Sequence, residues 1–283
     1  MYSERIRLRR ALWWGRDTPR SPREDLRRLA MLLTRIPAGA PASRWRRGEH
    51  WERRLFNKLN ARAFACAQGC RVPDLYWEGR WLTRSALASL PDRFVIKPAI
   101  DAVRRNAYVM AGGQELLRGE PLSRARLFDR LRAARGLVSH VPLLAEELVP
   151  DEAGERVLAV DYKVHTFAGV IGAIQVIHRS PGPAMPAVNR FYSADWEPFD
   201  DPMFAGLPQA PPGEPPACLA GILADARTLG AAVGSYVRVD LYATSYGSVF
   251  GEFSSTPHGG DGFTPFANAY FESLWRRHCP DRI

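Results

Sequence analysis

Short apolar runs, each bounded by glycine, proline or polar residues, recur along most of the chain. The runs at residues 94–96 and 108–110 flank a polar loop and predict a β-hairpin, and the run at 141–149 predicts a further strand. Two more runs, within residues 157–177, meet at the turn Ala168-Gly169 and predict a second hairpin, because glycine favours the tight turns that join paired strands.

The segment SYVRVDLYATSYGSVFGEFSSTPHGG predicts a third hairpin, in which two apolar strands flank a polar turn. With the turn centred on Tyr246, Asp240 lies directly opposite Glu252. Like charges that face each other across an antiparallel pair destabilise it by as much as about 1 kcal/mol, so we expect a positive group between them. That group is either a hard divalent cation, such as magnesium carried by a nucleotide, or a neighbouring arginine, Arg238 or Arg179.

Apolar residues at helical spacing alternate with these strands. They predict helices at residues 49–69, 82–90, 122–135 and 217–230. Nearer the amino terminus, the capping box Ser21-Pro22-Arg23-Glu24 predicts one more helix, because it precedes an apolar stripe formed by Leu26, Leu29, Leu33 and Ile36.

Positive charge is concentrated at the amino-terminal end. Residues 1–60 hold 16 lysines and arginines against 6 acidic residues, whereas the whole chain has a net charge of +9, so the remainder is nearly neutral. This basic leader is typical of a solvated helix face, or of a contact with an acidic partner or carrier or with a membrane surface. We do not expect nucleic-acid binding, because the body of the chain has no positive excess.

Several classes of protein are excluded by what the sequence lacks. No run approaches the roughly 20 apolar residues of a membrane span, and the apolar stretch at residues 11–15 is too short for a signal peptide. We therefore expect a cytoplasmic protein. The motifs GxSxG, HExxH, GxxxxGK[ST], HRD and DFG are absent, which argues against a hydrolase elbow, a zincin, a P-loop and a protein kinase.

The cysteines do not form a zinc or redox motif. Cys66 and Cys70 lie four residues apart in a predicted helix, while Cys218 and Cys279 are distant, and no CxxC pair occurs. We expect these four thiols to be free.

Lysine is rare in this chain, with three lysines against 36 arginines. Lys97 and Lys163 lie in apolar strands, whereas Lys58 lies in a helix that we expect to be exposed. Since arginine serves almost everywhere else, the two strand positions indicate a requirement for lysine itself. The alternative is a lysine whose ammonium group reaches the surface from the end of a strand.

Five segments, FVIKP, AEELVP, DYKVHTF, VRVDLY and GEFSSTP, follow one another at characteristic intervals. Together they resemble the ATP-grasp superfamily, and most closely its teichuronopeptide-biosynthesis, or TupA-like, type, which also shows a segment similar to NRFYSADWEP. The resemblance covers residues 57–262. It implies an α+β ATP-grasp fold, in which two lobes of antiparallel sheet hold ATP and a small helical extension precedes them.

The resemblance also divides the chain. We predict a basic helical leader at residues 1–56, a small amino-terminal lobe at 57–91, a central ATP-grasp lobe at 92–150 and a carboxy-terminal lobe at 151–283.

The resemblance implies roles for particular side chains. Lys97 and Lys163 would bind the ATP phosphates, because a slender stem with a compact charge can cross an apolar wall that the broad arginine fork cannot. Asp161 shares a strand face with Lys163 and would face the same cleft. The adenosine would be held by Glu146, Glu147 and Leu148.

Metal and substrate roles follow in the same way. Asp240 and Glu252 would hold Mg²⁺, with Ser254 where many ATP-grasp enzymes have an asparagine, a stronger ligand. Arg179 and Arg190 would bind the substrate carboxylate or the acyl phosphate. His258, on a loop, either faces the substrate or is merely exposed.

The loop after Lys97 departs from the family pattern, since residues 99–106 contain no glycine. Glycine-rich loops close backbone amides over phosphates. Here Arg104 and Arg105 would close over the phosphates with their side chains. The alternative is that the loop has lost its function and ATP binds poorly.

We therefore expect an ATP-dependent, ADP-forming ligase that joins a small-molecule acid to a small-molecule amine through an acyl phosphate. The resemblance associates this activity with cell-surface polymer or secondary-metabolite biosynthesis. Two alternatives stay open: an ATP-grasp kinase of small-molecule hydroxyl groups, and a non-catalytic protein that binds an anionic polymer.

Overall fold

The structure is a computed structural model that describes residues 30–37, 39–47, 51–100, 106–135, 141–155, 158–178, 187–257 and 262–280. Some sequence predictions lie outside these residues, namely the capping box at residues 21–24 and the roles of Arg104, Arg105, Arg179 and His258. Residues 30–33, which belong to the predicted first helix, are helical. Every described helix is too short or too polar to traverse a bilayer.

The first sheet is antiparallel and mixes strands from distant parts of the sequence. Among the described residues its order is β1-β6-β2-β3-β4-β5. Helices α3 (Arg84–Ala88) and α4 (Arg124–Arg135) lie near one face, where Leu87 and Leu127 pack against Phe94 and Ile96. The strands are β1 (Leu75–Gly79), β2 (Arg93–Pro98), β3 (Tyr108–Ala111), β4 (Gln114–Glu115), β5 (Glu120–Pro121) and β6 (Leu143–Glu147).

The second sheet is also antiparallel, and its two faces differ. Its order within the described part of the chain is β11-β10-β7-β8-β9. Helix α5 (Leu219–Val233) packs on the apolar face, and helix α6 (Pro265–His278) covers part of the other face. The strands are β7 (Asp161–Phe167), β8 (Val170–His178), β9 (Val188–Tyr192), β10 (Tyr236–Thr244) and β11 (Gly247–Ser254).

The amino-terminal helices connect the two sheets. They are α1 (Ala42–Trp45), a 3₁₀ helix at Trp51–Phe56 and α2 (Lys58–Ala67). Leu59 of α2 packs in a cluster with Leu144 of the first sheet. One and a half turns later, the ring of Phe64 lies 5.9 Å from that of Phe253 in the second sheet. Helix α2 therefore belongs to the cores of both sheets.

Most of the predicted elements are present, and the α+β class with two antiparallel sheets is confirmed. The hairpin β7–β8 turns at Ala168 and Gly169, both of which have positive φ values. The helix predicted at residues 49–69 is interrupted at Asn57, whose side chain accepts a hydrogen bond from the Leu59 amide and so starts α2 anew.

Several described elements were not predicted, among them one strand and one long helix. Strand β9, which contains residues 189 and 190, pairs with β8. Helix α6 was not predicted, although the sequence marks its start. Thr264 caps the Ala267 amide, and Pro265 takes the first helical position.

Candidate functional site

A cavity of about 190 Å³ lies between the two sheets. One part of its wall is apolar and includes Val95, Leu148 and Val149. The other part is lined by charged side chains that come from both sheets and from α2. It therefore combines most of the residues that the sequence predicted for the site, namely Lys97, Glu146, Glu147, Leu148, Asp161, Lys163, Asp240 and Glu252.

Asp240 and Glu252 are cross-strand partners, as the sequence predicted. The turn that joins the two strands differs from the predicted one, which was centred on Tyr246. In the structure Thr244 pairs with Gly247 around a two-residue turn. A β-bulge at Gly251 then shifts the register by one residue and brings the two carboxylates into line. A Cβ atom on Gly251 would lie 2.9 Å from the Tyr242 ring, so the bulge requires glycine.

The buried carboxylate of Asp240 is held by two cations. Arg238 donates to it through Nε at 2.6 Å and through Nη2 at 2.8 Å, and Lys163 donates from the neighbouring strand. Burial disfavours the ionised carboxylate, but the charges of Arg238 and Lys163 outweigh this effect and hold the pKa of Asp240 below its usual value. Arg238 Nη2 also lies 4.0 Å from Glu252, so this arginine offsets charge between the two facing carboxylates.

The first sheet contributes a second cluster of charges. Lys97 Nζ lies 2.5 Å from Oε1 of Glu146, whose Oε2 lies 3.2 Å from Arg62 of α2. The adjacent Glu147 accepts a hydrogen bond of 2.8 Å from the Tyr246 hydroxyl in the β10–β11 turn. These contacts fix both glutamates at the point where the first sheet meets the second.

Lys58 also lines the cavity, so the prediction that it lies on an exposed helix face was wrong. It is the first residue of α2, its side chain is only 12% exposed, and its Nζ lies 3.7 Å from Glu252. Its backbone amide donates to the Ala99 carbonyl, just beyond β2, which places the start of α2 beside the cavity. All three lysines of the chain therefore line one cavity.

Comparison with known families agrees with this geometry. A family model described as TupA-like ATPgrasp matches residues 49–274. The chain belongs to the TupA-like ATP-grasp family. This confirms the resemblance predicted from the five segments, whose residues include much of the cavity wall.

Solved structures show the same fold at low sequence identity. D-alanine–D-alanine ligase from Bacillus anthracis, complexed with ATP, is 14% identical, with a TM-score of 0.53 over 81% of this chain and 67% of that chain. A second structure of that ligase is 12% identical, with a TM-score of 0.52 over 81% and 68% of the two chains. No curated protein matches this TupA-like chain significantly.

Of the predicted site residues that the structure describes, two lie outside the cavity wall. Ser254 pairs with Arg238 and lies two residues beyond Glu252, on the same face of β11. Arg190 lies on β9, far across the sheet, where its Nη1 donates to Gln209. The structure therefore places Ser254 next to the carboxylate pair and Arg190 away from it.

The donor atoms fit a metal that a nucleotide brings with it. Among the described residues, no three histidine, cysteine or carboxylate side chains converge to hold an ion by themselves. Mg²⁺ in nucleotide sites is usually bound by one or two carboxylates together with phosphate oxygens and water. Asp240 and Glu252, neighbours on the cavity wall, match that requirement.

Proposed function

We propose that this TupA-like ATP-grasp protein is an ATP-dependent ligase that joins a carboxylic acid to an amine through an acyl phosphate. The observation that carries the proposal is the convergence of Lys97, Lys163, Asp240 and Glu252 on one cavity between two antiparallel sheets. The ATP-grasp fold shared with an ATP-bound D-alanine–D-alanine ligase supports it.

The cavity suggests how ATP would lie. Adenosine would occupy the apolar part beside Leu148 and Val149, with Glu146 and Glu147 nearby, and the phosphates would reach Lys97 and Lys163. The volume of about 190 Å³ is below the roughly 300–1,000 Å³ of typical ligand pockets. A nucleotide would therefore have to displace internal contacts, and the ammonium of Lys97 would exchange Glu146 for phosphate oxygens.

Asp240 and Glu252 would hold Mg²⁺, with Ser254 as a weaker neighbour. A bound magnesium ion would offset the negative charge on the phosphates. Arg238 keeps both carboxylates in place, since it bonds to Asp240 and lies near Glu252. This arginine would position the metal ligands.

The proposed reaction has two steps. A carboxylate oxygen of the acid forms a bond to the γ-phosphorus while the bond from that phosphorus to the β,γ-bridging oxygen breaks, and ADP leaves. The amine nitrogen then forms a bond to the acyl carbon, inorganic phosphate leaves with the C–O bond electrons, and the nitrogen loses a proton. Lys97 and Lys163 would stabilise negative charge in the first step, and Arg179 is proposed to orient the acyl phosphate.

The test is a thermal-shift titration with ATP, with and without Mg²⁺. We expect ATP with Mg²⁺ to stabilise the wild type by about 2.7 kcal/mol at 100 times Kd, and Lys97→Ala and Glu252→Gln to lose the shift. Glu78→Gln serves as control, because Glu78 forms an exposed ion pair with Arg35 away from the cavity. No shift in the wild type at saturating ATP would refute the proposal.

A product assay separates the ligase from a kinase. A ligase releases inorganic phosphate together with ADP when acid and amine are both present, whereas a kinase of hydroxyl groups releases ADP alone and retains the phosphoryl group in its product. Panels of small acids and amines related to cell-surface polymers and secondary metabolites are the first substrates to screen.

A further inference from the structure

Helix α2 directs two cations toward the cavity. Lys58 and Arg62 are four residues apart and therefore lie on one face of the helix. Arg62 Nη1 lies 3.2 Å from Glu146 in the first sheet, and Lys58 Nζ lies 3.7 Å from Glu252 in the second. One helix face thus contacts a cavity carboxylate from each sheet.

Lys58 stands at the end of a row of charged groups. Lys163, Asp240 and Glu252 are cross-strand neighbours on β7, β10 and β11. Because paired strands lie about 4.8 Å apart, the row is about 10 Å long. Glu252 belongs to the edge strand, and the ammonium of Lys58 lies next to it from outside the sheet.

The apolar part of the cavity lies on one side of this row. Glu147 accepts a hydrogen bond from Tyr246, and Ser245 donates its amide to the Asp151 carbonyl, so the segment that contains Leu148 lies against the β10–β11 turn. A nucleotide with its base at this end has its phosphates at the row. Because a magnesium ion held by Asp240 and Glu252 would also bind phosphate oxygens, the phosphates next to the metal would lie beside Lys58.

The use of lysine supports a common role. Arginine occurs at 36 positions and lysine at three, and those three share the cavity wall. A compact ammonium reaches a single phosphate oxygen in a narrow site, whereas the arginine fork needs room for two contacts. Lys58, like Lys97 and Lys163, lies in a narrow site that suits a compact ammonium group, because its side chain is largely enclosed.

We propose that Lys58 binds the terminal phosphoryl group of the nucleotide, the group that the ligase would transfer. The inference rests on the proposed function, and it assigns to the amino-terminal helix a residue that contacts the reacting phosphate. In the absence of nucleotide, Glu252 pairs with this ammonium. When the γ-phosphate is bound, Lys58 contacts the phosphate oxygens and Glu252 becomes available to the metal.

The test compares two nucleotides that differ in the terminal phosphate. Kd is measured by calorimetry in Mg²⁺ for ADP and for β,γ-imido-ATP, with wild type, Lys58→Met and Lys58→Arg. Loss of a charge-assisted contact is expected to weaken imido-ATP binding by Lys58→Met about tenfold, while ADP binding changes less than about twofold. Lys58→Arg is expected to recover only part of the loss, because the larger head group does not fit.

The matched control is Arg62→Met, one turn along the same helix face. It removes a cation that pairs with Glu146, so the ratio of the two Kd values is expected to stay as in the wild type. Thermal unfolding without nucleotide shows that each variant is folded, and Lys58→Gln replaces Lys58→Met if the latter is not.

The outcomes distinguish this inference from the proposed function. If the wild type binds both nucleotides and Lys58→Met leaves the ratio unchanged, the role of Lys58 is refuted and the nucleotide site stands. If the wild type binds neither nucleotide, both the proposed function and this inference fail.

Discussion

The carboxylate of Asp240 pairs with two buried cations, and these cations determine how a substitution at Asp240 changes the free energy of unfolding. Arg238 and Lys163 both donate to its carboxylate, and the side chains of all three residues are less than a tenth exposed. Replacing one partner of a buried ion pair leaves the remaining charge without compensation inside the protein.

We expect Asp240→Asn to lower the free energy of unfolding at pH 7 by about 3–5 kcal/mol. The pKa of Asp240 is lowered in the folded state, so its stabilisation is present above the unfolded-state pKa of about 3.9 and is lost as the pH falls further. Urea unfolding from pH 7 to pH 3 should show the wild type approaching the variant below about pH 4.

Asp129→Asn is the control for that experiment, because Asp129 forms an exposed ion pair with Arg84. It should change the free energy of unfolding by less than about 1 kcal/mol at any of these pH values. A difference between wild type and Asp240→Asn that stays constant down to pH 3 would contradict the assigned ion pairs.

The four cysteines are free, as the sequence predicted, and they should differ in reactivity. Burial, with a smaller contribution from Asp225, raises the pKa of the Cys70 thiol to about 12, whereas Cys66 is exposed. Because the thiolate is the reactive form, a disulfide reagent at pH 8 should modify Cys66 quickly and Cys70 only after unfolding. Peptide mass spectrometry measures this, and equal rates in the folded protein would contradict the assignment.

At the scale of single residues, the sequence indicates those cavity groups whose neighbours are local. Asp240 and Glu252 belong to one hairpin, and Asp161 and Lys163 alternate on one strand, so their faces follow from strand periodicity. Lys58 could not be placed in this way, because its burial depends on the packing of α2 against both sheets.

Among the helices, α5 has two glycines in contrasting surroundings. A Cβ atom on Gly230 would lie 2.5 Å from Thr166 Oγ1 and 3.1 Å from the Gly169 Cα atom. The same atom on Gly221 would meet only Ser248 Cβ, at 3.6 Å. The first glycine allows α5 to lie close to the β7–β8 hairpin, and the second does not serve packing.

Alanine at these two positions should therefore have opposite effects. We expect Gly230→Ala to destabilise the protein by about 1–3 kcal/mol through overpacking, and Gly221→Ala to stabilise it by up to about 1 kcal/mol through helix propensity. Chemical unfolding of the two variants and the wild type checks both signs. Stabilisation by Gly230→Ala would show that α5 does not lie close to the hairpin.

The elements show which features a local pattern can predict. The β7–β8 turn was predicted at the right residues, because Ala168-Gly169 is a local signal. The Asp240–Glu252 pair was predicted with the wrong turn, because a bulge at Gly251 depends on the space beside Tyr242 and not on a sequence pattern. The pairing of strand β1 with β6 joins residues about 70 positions apart and leaves no periodic signal.

At the scale of the molecule, α2 connects the two sheets through apolar contacts as well as charges. Leu59 packs with Leu144 of the first sheet, while Phe64 packs with Phe253 of the second. The hairpin pattern predicted both sheets, but which faces oppose each other was implied only by the family resemblance, because local pairing carries no information on how separate sheets meet.

We expect the two sheets to unfold together. Phe64→Ala should reduce the free energy of unfolding by about 3–5 kcal/mol, with far-UV circular dichroism and tryptophan fluorescence shifting to the same lower midpoint. Two separate transitions, with only one of them moved by the substitution, would show that α2 does not couple the sheets.

The lysine side chains of this protein, and so its side-chain amines, all lie in one part of the molecule. Lys58, Lys97 and Lys163 all line the cavity, so coupling through side-chain amines to a sensor surface attaches the molecule by its own cleft and blocks it. Limited reductive methylation in solution can serve as a protection assay. The number of methyl groups, measured by mass spectrometry, would report what fraction of molecules has a ligand in the cleft. Arginine, which supplies most of the other positive charge, does not react with such reagents.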